Sequence, residues 1–499
     1  MINSVTGEPI RAALVQIHID QQVSLLTGPD GKFHFDSVPQ SQLTITVRKP
    51  GYFSEQEISQ GPMPNQPIQV GPGMRPVIMK LIPEGAIYGR ITDSDGDPIL
   101  DLQIGLVQAA IVNGQRNWQQ MGSQQSKDDG EFRFFGLLPG TYYLRTESTP
   151  VANLRVGANS EAARGGFPSN YYPGKPDLGS ATAIAVEPAK EVRADFSVKR
   201  EVLYQVSGRV IGAPKQMPLN IQVLGSDGEW FNGGVQMDPR AETFTAFVPK
   251  GSYVIKAYAN GNNGPQGVAV QSVNVNGDIA GLSFALAPLA TIPVDVRFEI
   301  TQNTNSVPYS TDMQPVSVTL VSKGTVFTNQ GYSATMQGQP EGQPFAVRNV
   351  EPGRYAAQLI PPGHWYIESA RCGQVNLVTE DLNVQTGGTG QPIEIVLRDD
   401  FATVSGAVSL GGQPAPGTVL LIPDGNPRGA VALLTNPDGR FQKEDLPPGD
   451  YKAIAFDRVD GLEYTNTEAM RTYFSWEQPV HVSPNGKATV QLELQKQEN

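Results

Sequence analysis

Lys127-Asp-Asp-Gly-Glu-Phe-Arg-Phe134, followed three residues later by Leu138-Pro-Gly-Thr-Tyr-Tyr-Leu144, is the stretch that decides the fold. Asp-Gly supplies the left-handed backbone of a tight turn, and Phe-x-Phe then puts both rings on one face of a strand. Pro followed by Gly fits a type II turn, Pro presetting φ and Gly accepting positive φ. The Tyr two residues later opens the next strand.

Both signatures recur along the chain. The first returns as Gly28-Pro-Asp-Gly-Lys-Phe-His-Phe35 and as Asn436-Pro-Asp-Gly-Arg-Phe-Gln442. The second returns as Glu351-Pro-Gly-Arg-Tyr-Ala356 and Pro447-Pro-Gly-Asp-Tyr-Lys452, with degraded copies at Val248-Pro-Lys-Gly-Ser-Tyr253 and Val38-Pro-Gln-Ser-Gln-Leu43. A third signature, strand then turn then Pro, reads Gly89-Arg-Ile-Thr-Asp-Ser-Asp-Gly-Asp-Pro-Ile99. It matches Gly406–Ala415 and, more weakly, Gly208–Pro214. Alternating strands at Pro76–Leu81, Val192–Val198, Leu282–Leu286, Ile393–Leu397 and Val490–Leu494 close each repeat. Internal repetition of this kind defines an array. The units run 1–83, 84–200, 201–289, 290–398 and 399–499. Each holds about seven short strands, enough for a two-sheet sandwich with its own core. The reading is therefore all-β, about five tandem sandwiches with little helix; Ser160–Arg164 and Glu468–Phe474 are the short helical candidates.

Composition agrees. The 499 residues include 53 Gly and 41 Pro, and 17% are charged. The net charge of −12 argues against nucleic acid or an anionic membrane as partner, since both need clustered positive charge. Cys372 is the single cysteine, which excludes an intrachain disulfide and Cys-based metal sites. The most apolar stretch, 279–296, is interrupted by Pro288, Pro293 and Asp295, so no membrane span is read. The four histidines, His18, His34, His364 and His481, have no Glu three residues on. Gly-x-Ser-x-Gly and phosphate-loop motifs are absent. A Ser/His or Asp/Asp site assembled from distant residues is left to geometry.

Taken together, the opening turn, Asp-Gly-x-Phe-x-Phe and Pro-Gly-x-Tyr resemble the carboxypeptidase regulatory-like domain. That is a transthyretin-like, or prealbumin-like, Greek-key β-sandwich. It is similar also to B-type domains of bacterial surface adhesins and to starch-binding-like folds. Units 84–200 and 399–499 match best, 1–83 matches apart from its start, and the middle two lack the Asp-Gly-x-Phe turn. The resemblance implies a secreted or cell-surface bacterial protein, extracellular or periplasmic, with the domain as an accessory that brings no catalytic residues. Some adhesin B-type domains carry a Lys–Asn or Lys–Asp crosslink. It requires a Lys on the first strand, where Val206–Val210, Ile87–Ile91 and Val404–Val408 have none. Aligning Ile2–Ile10 with Ile91–Ile99 places the missing Gly-Arg before Met1, so an upstream extension carrying the export signal is expected.

Candidate sites follow from chemistry. Asp93, Asp95 and Asp97 alternate along one turn, and a hard cation such as calcium takes several such oxygens; otherwise they are ordinary turn acids. Two matching loops carry aromatic rings, Thr149–Ser180 with Tyr171 and Tyr172, and Asp460–Pro479 with Tyr473 and Trp476. Exposed, these rings stack on sugars or anchor a partner; packed, they cap the sandwich. Trp230-Phe231 and Trp365-Tyr366 are further candidate platforms against a cross-strand packing reading. Short linkers such as Pro83-Glu-Gly85 and Pro288-Leu-Ala290 predict a semi-rigid array, roughly 150–200 Å long if units stack end to end. The leading functional expectation is a non-enzymatic scaffold or spacer making contacts with other surface proteins. The alternatives are a polysaccharide-binding protein using the aromatic loops, and an accessory fragment of a larger secreted enzyme or outer-membrane receptor.

Overall fold

A computed structural model describes residues 1–18, 22–36, 38, 42–54, 57, 68–71, 74–150, 165–213, 217–225, 228, 231, 234–261, 264–301, 315–323, 331–336 and 344–497. The architecture is a tandem array of β-sandwiches. The helical elements given in full among the described residues are short 3-10 turns at Leu178–Ser180, Pro427–Gly429 and Arg471–Trp476. The last of these falls three residues later than the expected Glu468–Phe474. Ser160–Arg164 lies outside the described residues.

The motifs fold as their chemistry requires. All three Asp-Gly turns close with the same two backbone hydrogen bonds. Gly28, Lys127 and Asn436 donate N–H to the carbonyls of Lys32, Glu131 and Arg440, and Gly31, Gly130 and Gly439 donate back to Gly28, Lys127 and Asn436, all at 2.8–3.0 Å. The three turn glycines have φ of +70°, +77° and +73°. A Cβ on any of them would lie 2.4, 2.4 or 2.5 Å from the carbonyl oxygens of Met1, Ile91 and Val408. Only glycine meets both demands.

The Pro-Gly-x-Tyr copies reveal why the position is Tyr. The hydroxyls of Tyr142, Tyr253, Tyr355 and Tyr451 donate to the carbonyls four residues back, of Leu138, Pro249, Glu351 and Pro447, at 2.8, 3.0, 2.8 and 2.7 Å. Each ring is a wall of the core while its hydroxyl satisfies a turn carbonyl. The opening glycines have a different task. A Cβ on Gly89, Gly208 or Gly406 would meet the rings of Phe132, Phe244 or Phe441 at 2.9, 2.9 or 2.7 Å. Absence of the side chain lets an aromatic ring lie across the strand.

Opening and closing strands pair in parallel five times. Ile2–Asn3 lies beside Lys80–Pro83, Gly85–Thr92 beside Glu191–Arg193 and Phe196–Ser197, and Tyr204–Ile211 beside Ile279–Ala285. Ala290–Glu299 lies beside Ile393–Arg398, and Ala402–Leu410 beside Lys487–Gln495. Each pair frames its own core, centred in chain order on Val15 and Leu81, Ile87 and Phe132, Phe244 and Phe284, Val318 and Ile393, and Val404 and Phe441.

Residues Met1–Gln108 with Gln120–Val202 form one compact unit, and Ala109–Gln119 with Leu203–Asn499 a second. In the second unit, the last sandwich departs from two separate sheets. Lys487–Gln495 pairs with Ala402–Leu410 and then, at Leu494 and Gln495, with Ala455 and Phe456, so the strands join into one eight-stranded sheet. Its strand Thr418–Pro423 is buried on both faces, because a satellite core of Leu462, Tyr464, Met470 and Tyr473 covers Leu420, Ile422, Ile454 and Phe456. The continuous apolar run Val419-Leu-Leu-Ile422 reflects that double burial.

Candidate functional site

The two aromatic loops have different fates. In the first, Asn170–Tyr171 is a short strand paired with Arg145 and Thr146, and the Tyr171 ring is 1% exposed. Tyr172 packs edge-on against Phe196 at 5.8 Å between centroids, beside the core. In the second, Arg471–Trp476 is a 3-10 turn. Tyr473 points inward onto Phe456 at 4.9 Å, whereas Phe474 and Trp476 are 39% and 49% exposed. Lys452 Nζ lies 5.3 Å from the Phe474 ring centre and pairs with Glu477 at 3.2 Å. The rings offered to solvent are thus Phe474 and Trp476, and sequence reasoning had not singled out Phe474. Trp230 lies outside the described residues. Trp365 and Tyr366 are core residues, packed edge-on against Phe298 and Phe401.

The Asp93–Asp97 turn uses its first carboxylate internally. Asp93 Oδ1 accepts from the N–H groups of Asp95 and Asp97 at 2.9 and 3.0 Å. Among the described residues no group of three or more acidic, His or Cys side chains converges as an ion would require. The Asp93 carboxylate is thus already engaged by the N–H groups of its own turn.

One Asp–His–Ser arrangement is present. Asp450 Oδ1 lies 2.7 Å from His481 Nδ1, and His481 Nε2 lies 3.4 Å from Ser483 Oγ. Asp450 and His481 face each other across paired strands, and Ser483 is two residues on. The His and Asp side chains are 67% and 73% exposed, and Pro484 removes the N–H after the serine. Both side chains thus stand open to water, whereas acyl-transfer sites work in water-excluded surroundings. Cys372 is buried, its Sγ 3.5 Å from the Gln391 carbonyl, and burial pushes the thiol up and away from the reactive thiolate.

The second compact unit carries a feature that no local motif announces: buried acids at the joints between sandwiches. Glu351, 3% exposed, accepts from Lys256 Nζ at 2.7 Å and from the Tyr258 hydroxyl at 3.0 Å. Lys256 and Tyr258 sit on the strand Gly251–Gly261 of the preceding sandwich. Burial, and then the Glu351 charge, raise the hydroxyls of Tyr258, Tyr332 and Tyr355 far above the ordinary phenol range. At the next joint, Asp381, 7% exposed, binds Arg354 of its own sandwich at 3.0 Å and Arg428 of the following one at 3.2 Å. The linker itself is fixed by Asp399, which accepts from Thr301 N–H and Oγ, and by Asp400, which accepts from the Tyr366 hydroxyl at 2.7 Å and pairs with Arg398. A cleft of about 1380 Å³ in this unit is walled by Lys323, Arg428, Tyr451 and Tyr464 among others.

No known family matches the chain, and no curated protein does. The carboxypeptidase regulatory-like assignment therefore stays a resemblance of motifs. Among solved structures, the chain is similar to the minor pilin GBS52 of Streptococcus agalactiae, at 15% identity and a TM-score of 0.19 over 39% of this chain and 85% of that one. It is also similar to the major pilin subunit BcpA of Bacillus cereus, at 10% and 0.14 over 82% and 99%. A third is the RrgB pilus protein of Streptococcus pneumoniae, at 7% and 0.16 over 74% and 90%. Scores this low carry no argument, and the fold rests on the strand ladders themselves. Among the described residues no helix is long and apolar enough to cross a membrane.

Proposed function

We propose that this protein is a non-enzymatic scaffold of the cell envelope or exterior, five sandwiches at 1–83, 84–200, 201–289, 290–398 and 399–499 serving to space or display surface contacts. The observation that carries the reading is the Lys256–Glu351 pair. A carboxylate sealed between consecutive sandwiches fixes their orientation, because swivelling would leave a buried charge unpaired, at a cost of about 3–5 kcal/mol. The short linkers and the clamp at Asp381 support the same stiffness. Two measurements test it. A membrane-impermeant biotin reagent on intact cells should label the protein; labelling only after lysis would overturn the location. Small-angle scattering of the full chain should show a stiff particle that loosens in Glu351→Ala, and freely jointed behaviour in the unaltered protein would overturn the spacer role.

A second reading has one specific observation in its favour. Phe474 and Trp476 stand exposed on one 3-10 turn, with Lys452 over one face of the Phe474 ring, and exposed rings can stack on a sugar. Affinity gels containing soluble polysaccharides decide it. Retardation by one polysaccharide, lost in a folded Trp476→Ala variant, would establish carbohydrate binding. No retardation across a broad panel would leave the scaffold.

A further inference from the structure

Strands Gln103–Val112 and Gln115–Gln125 form a hairpin that outruns its own sheet. The counterpart strands Leu14–His18, Leu219–Gly225, Ser317–Ser322 and Thr418–Pro423 have five to seven residues, whereas Gln103–Val112 has ten. Its ladder to Gly140–Thr146 spans Ile104–Gln108 only. Beyond Gln108 the hairpin runs on to a tip at Asn113-Gly114, where φ of +49° and +71° fits a type I′ turn. This projecting part, Ala109–Gln119, belongs to the second compact unit.

Within that unit the tip is seated on the last sandwich. The Gly114 carbonyl accepts from the Thr465 N–H at 3.3 Å and from the Thr465 hydroxyl at 2.7 Å. Arg116 pairs with Glu463, whose side chain is 16% exposed. Gly114 is buried, while Val112, Asn113, Gln115, Arg116 and Asn117 around it are exposed. A Cβ on Gly114 would lie 2.5 Å from the Tyr464 ring, so the seat as well as the turn calls for glycine. Tyr464 is held by the satellite core, through packing in which the tip has no part. From Val112 to Asn117 no apolar side chain is buried. A contact this small and polar lies at the low-stability end of a fold, where opening is easy.

We propose that Ala109–Gln119 is a reversible strap over the cleft of about 1380 Å³, with Glu463–Thr465 as its catch. Trp118 from the strap and Tyr464 beside the catch both line that cleft. With the tip seated, the cleft is walled on that side; with the tip released, the same side opens to solvent. The Arg116–Glu463 attraction holds the strap down, and salt screens it, so rising ionic strength favours release.

Pulsed electron paramagnetic resonance on the full chain reads the two states. Nitroxides go on Gln119→Cys and Thr467→Cys, both exposed positions, while the native Cys372 is buried. The seated strap should give one dominant narrow distance, with a longer and broader component that grows from low to high salt. Gly114→Asn tolerates the positive φ of the turn but puts a Cβ against Tyr464, and should make the broad component dominant. Arg116→Glu should raise the released fraction at least about fivefold, and adding Glu463→Arg should restore the narrow distance. Circular dichroism should be the same in every variant. A broad distribution in the otherwise unaltered chain would overturn the proposal, because the tip would have no seat. A narrow distance that salt, Gly114→Asn and Arg116→Glu all leave in place would overturn the reversibility. So would a charge exchange that fails to restore docking.

Discussion

The loop ending in Tyr171-Tyr172 and the loop holding Tyr473–Trp476 look alike in sequence and behave differently in the fold. Both are long, aromatic and followed by a similar strand. The first is drawn into a sheet through Tyr171, which is sealed from solvent, and its Tyr172 packs beside the core. The ring-bearing turn of the second stays out of the sheet, which the chain rejoins at Gln478. It lies as a turn over the outer face of the last sandwich, buries Met470 and Tyr473, and leaves Phe474 and Trp476 outside. Aromatic content therefore does not mark a binding surface; backbone pairing decides which rings remain available.

The contrast can be broken by mutation. Tyr171→Ala should cost the first compact unit about 3–5 kcal/mol, as large-to-small changes in a sealed core do, read by chemical denaturation. A loss under about 1 kcal/mol would mean the first loop is as loosely held as the second. The Pro-Gly-x-Tyr tyrosines in the main cores of the two sandwiches should share one alkaline response. Burial pushes Tyr451 up to about 12 and raises Tyr142 as well. An unfolded tyrosine titrates near about 10, so the fold favours the protonated form. The stability from Tyr451 is complete below about pH 10 and lost as the pH rises toward about 12. Phenolate absorbance should therefore grow together with loss of near-ultraviolet dichroism. Titration near 10 with the fold intact would contradict the burial.

Smaller effects sharpen the comparison. Lys452→Met removes both the Glu477 pair and the ring contact of the second loop, and should cost about 1 kcal/mol. Trp476→Ala should change stability by less than about 0.5 kcal/mol, because half the side chain is already in water. A larger loss at Trp476 would place it in the packing, against a role in binding.

Local chemistry was the legible part. Asp30-Gly31, Asp129-Gly130 and Asp438-Gly439 each had to turn, and Pro-Gly-x-Tyr had to open a strand, since φ and side-chain alternation are set within a few residues. The joints were not legible. Lys256 and Glu351 are brought together by the packing of two sandwiches, and neither residue stands in a pattern that names the other. Glu351 was visible only as the first letter of a turn motif, although its carboxylate faces the neighbouring sandwich. The satellite core was hidden for a related reason. Leu420 and Ile422 look like surplus apolar residues until the loop that covers them is placed.

The parallel pairing of first and last strands has a mechanical consequence. Tension on a chain enters such a pair at one end of the opening strand and leaves at the opposite end of the closing strand. The ladder is then loaded along its length, in shear, and its bonds must fail together; a hairpin pulled open yields one bond at a time. Resistance should grow with the length of the ladder. The short segments in the second sandwich, Glu191–Arg193 and Phe196–Ser197 against Gly85–Thr92, would slip first. The ladders from Val294 to Glu299 and from Thr403 to Ser409 would hold longest, so under load the sandwiches they close would be the last to open.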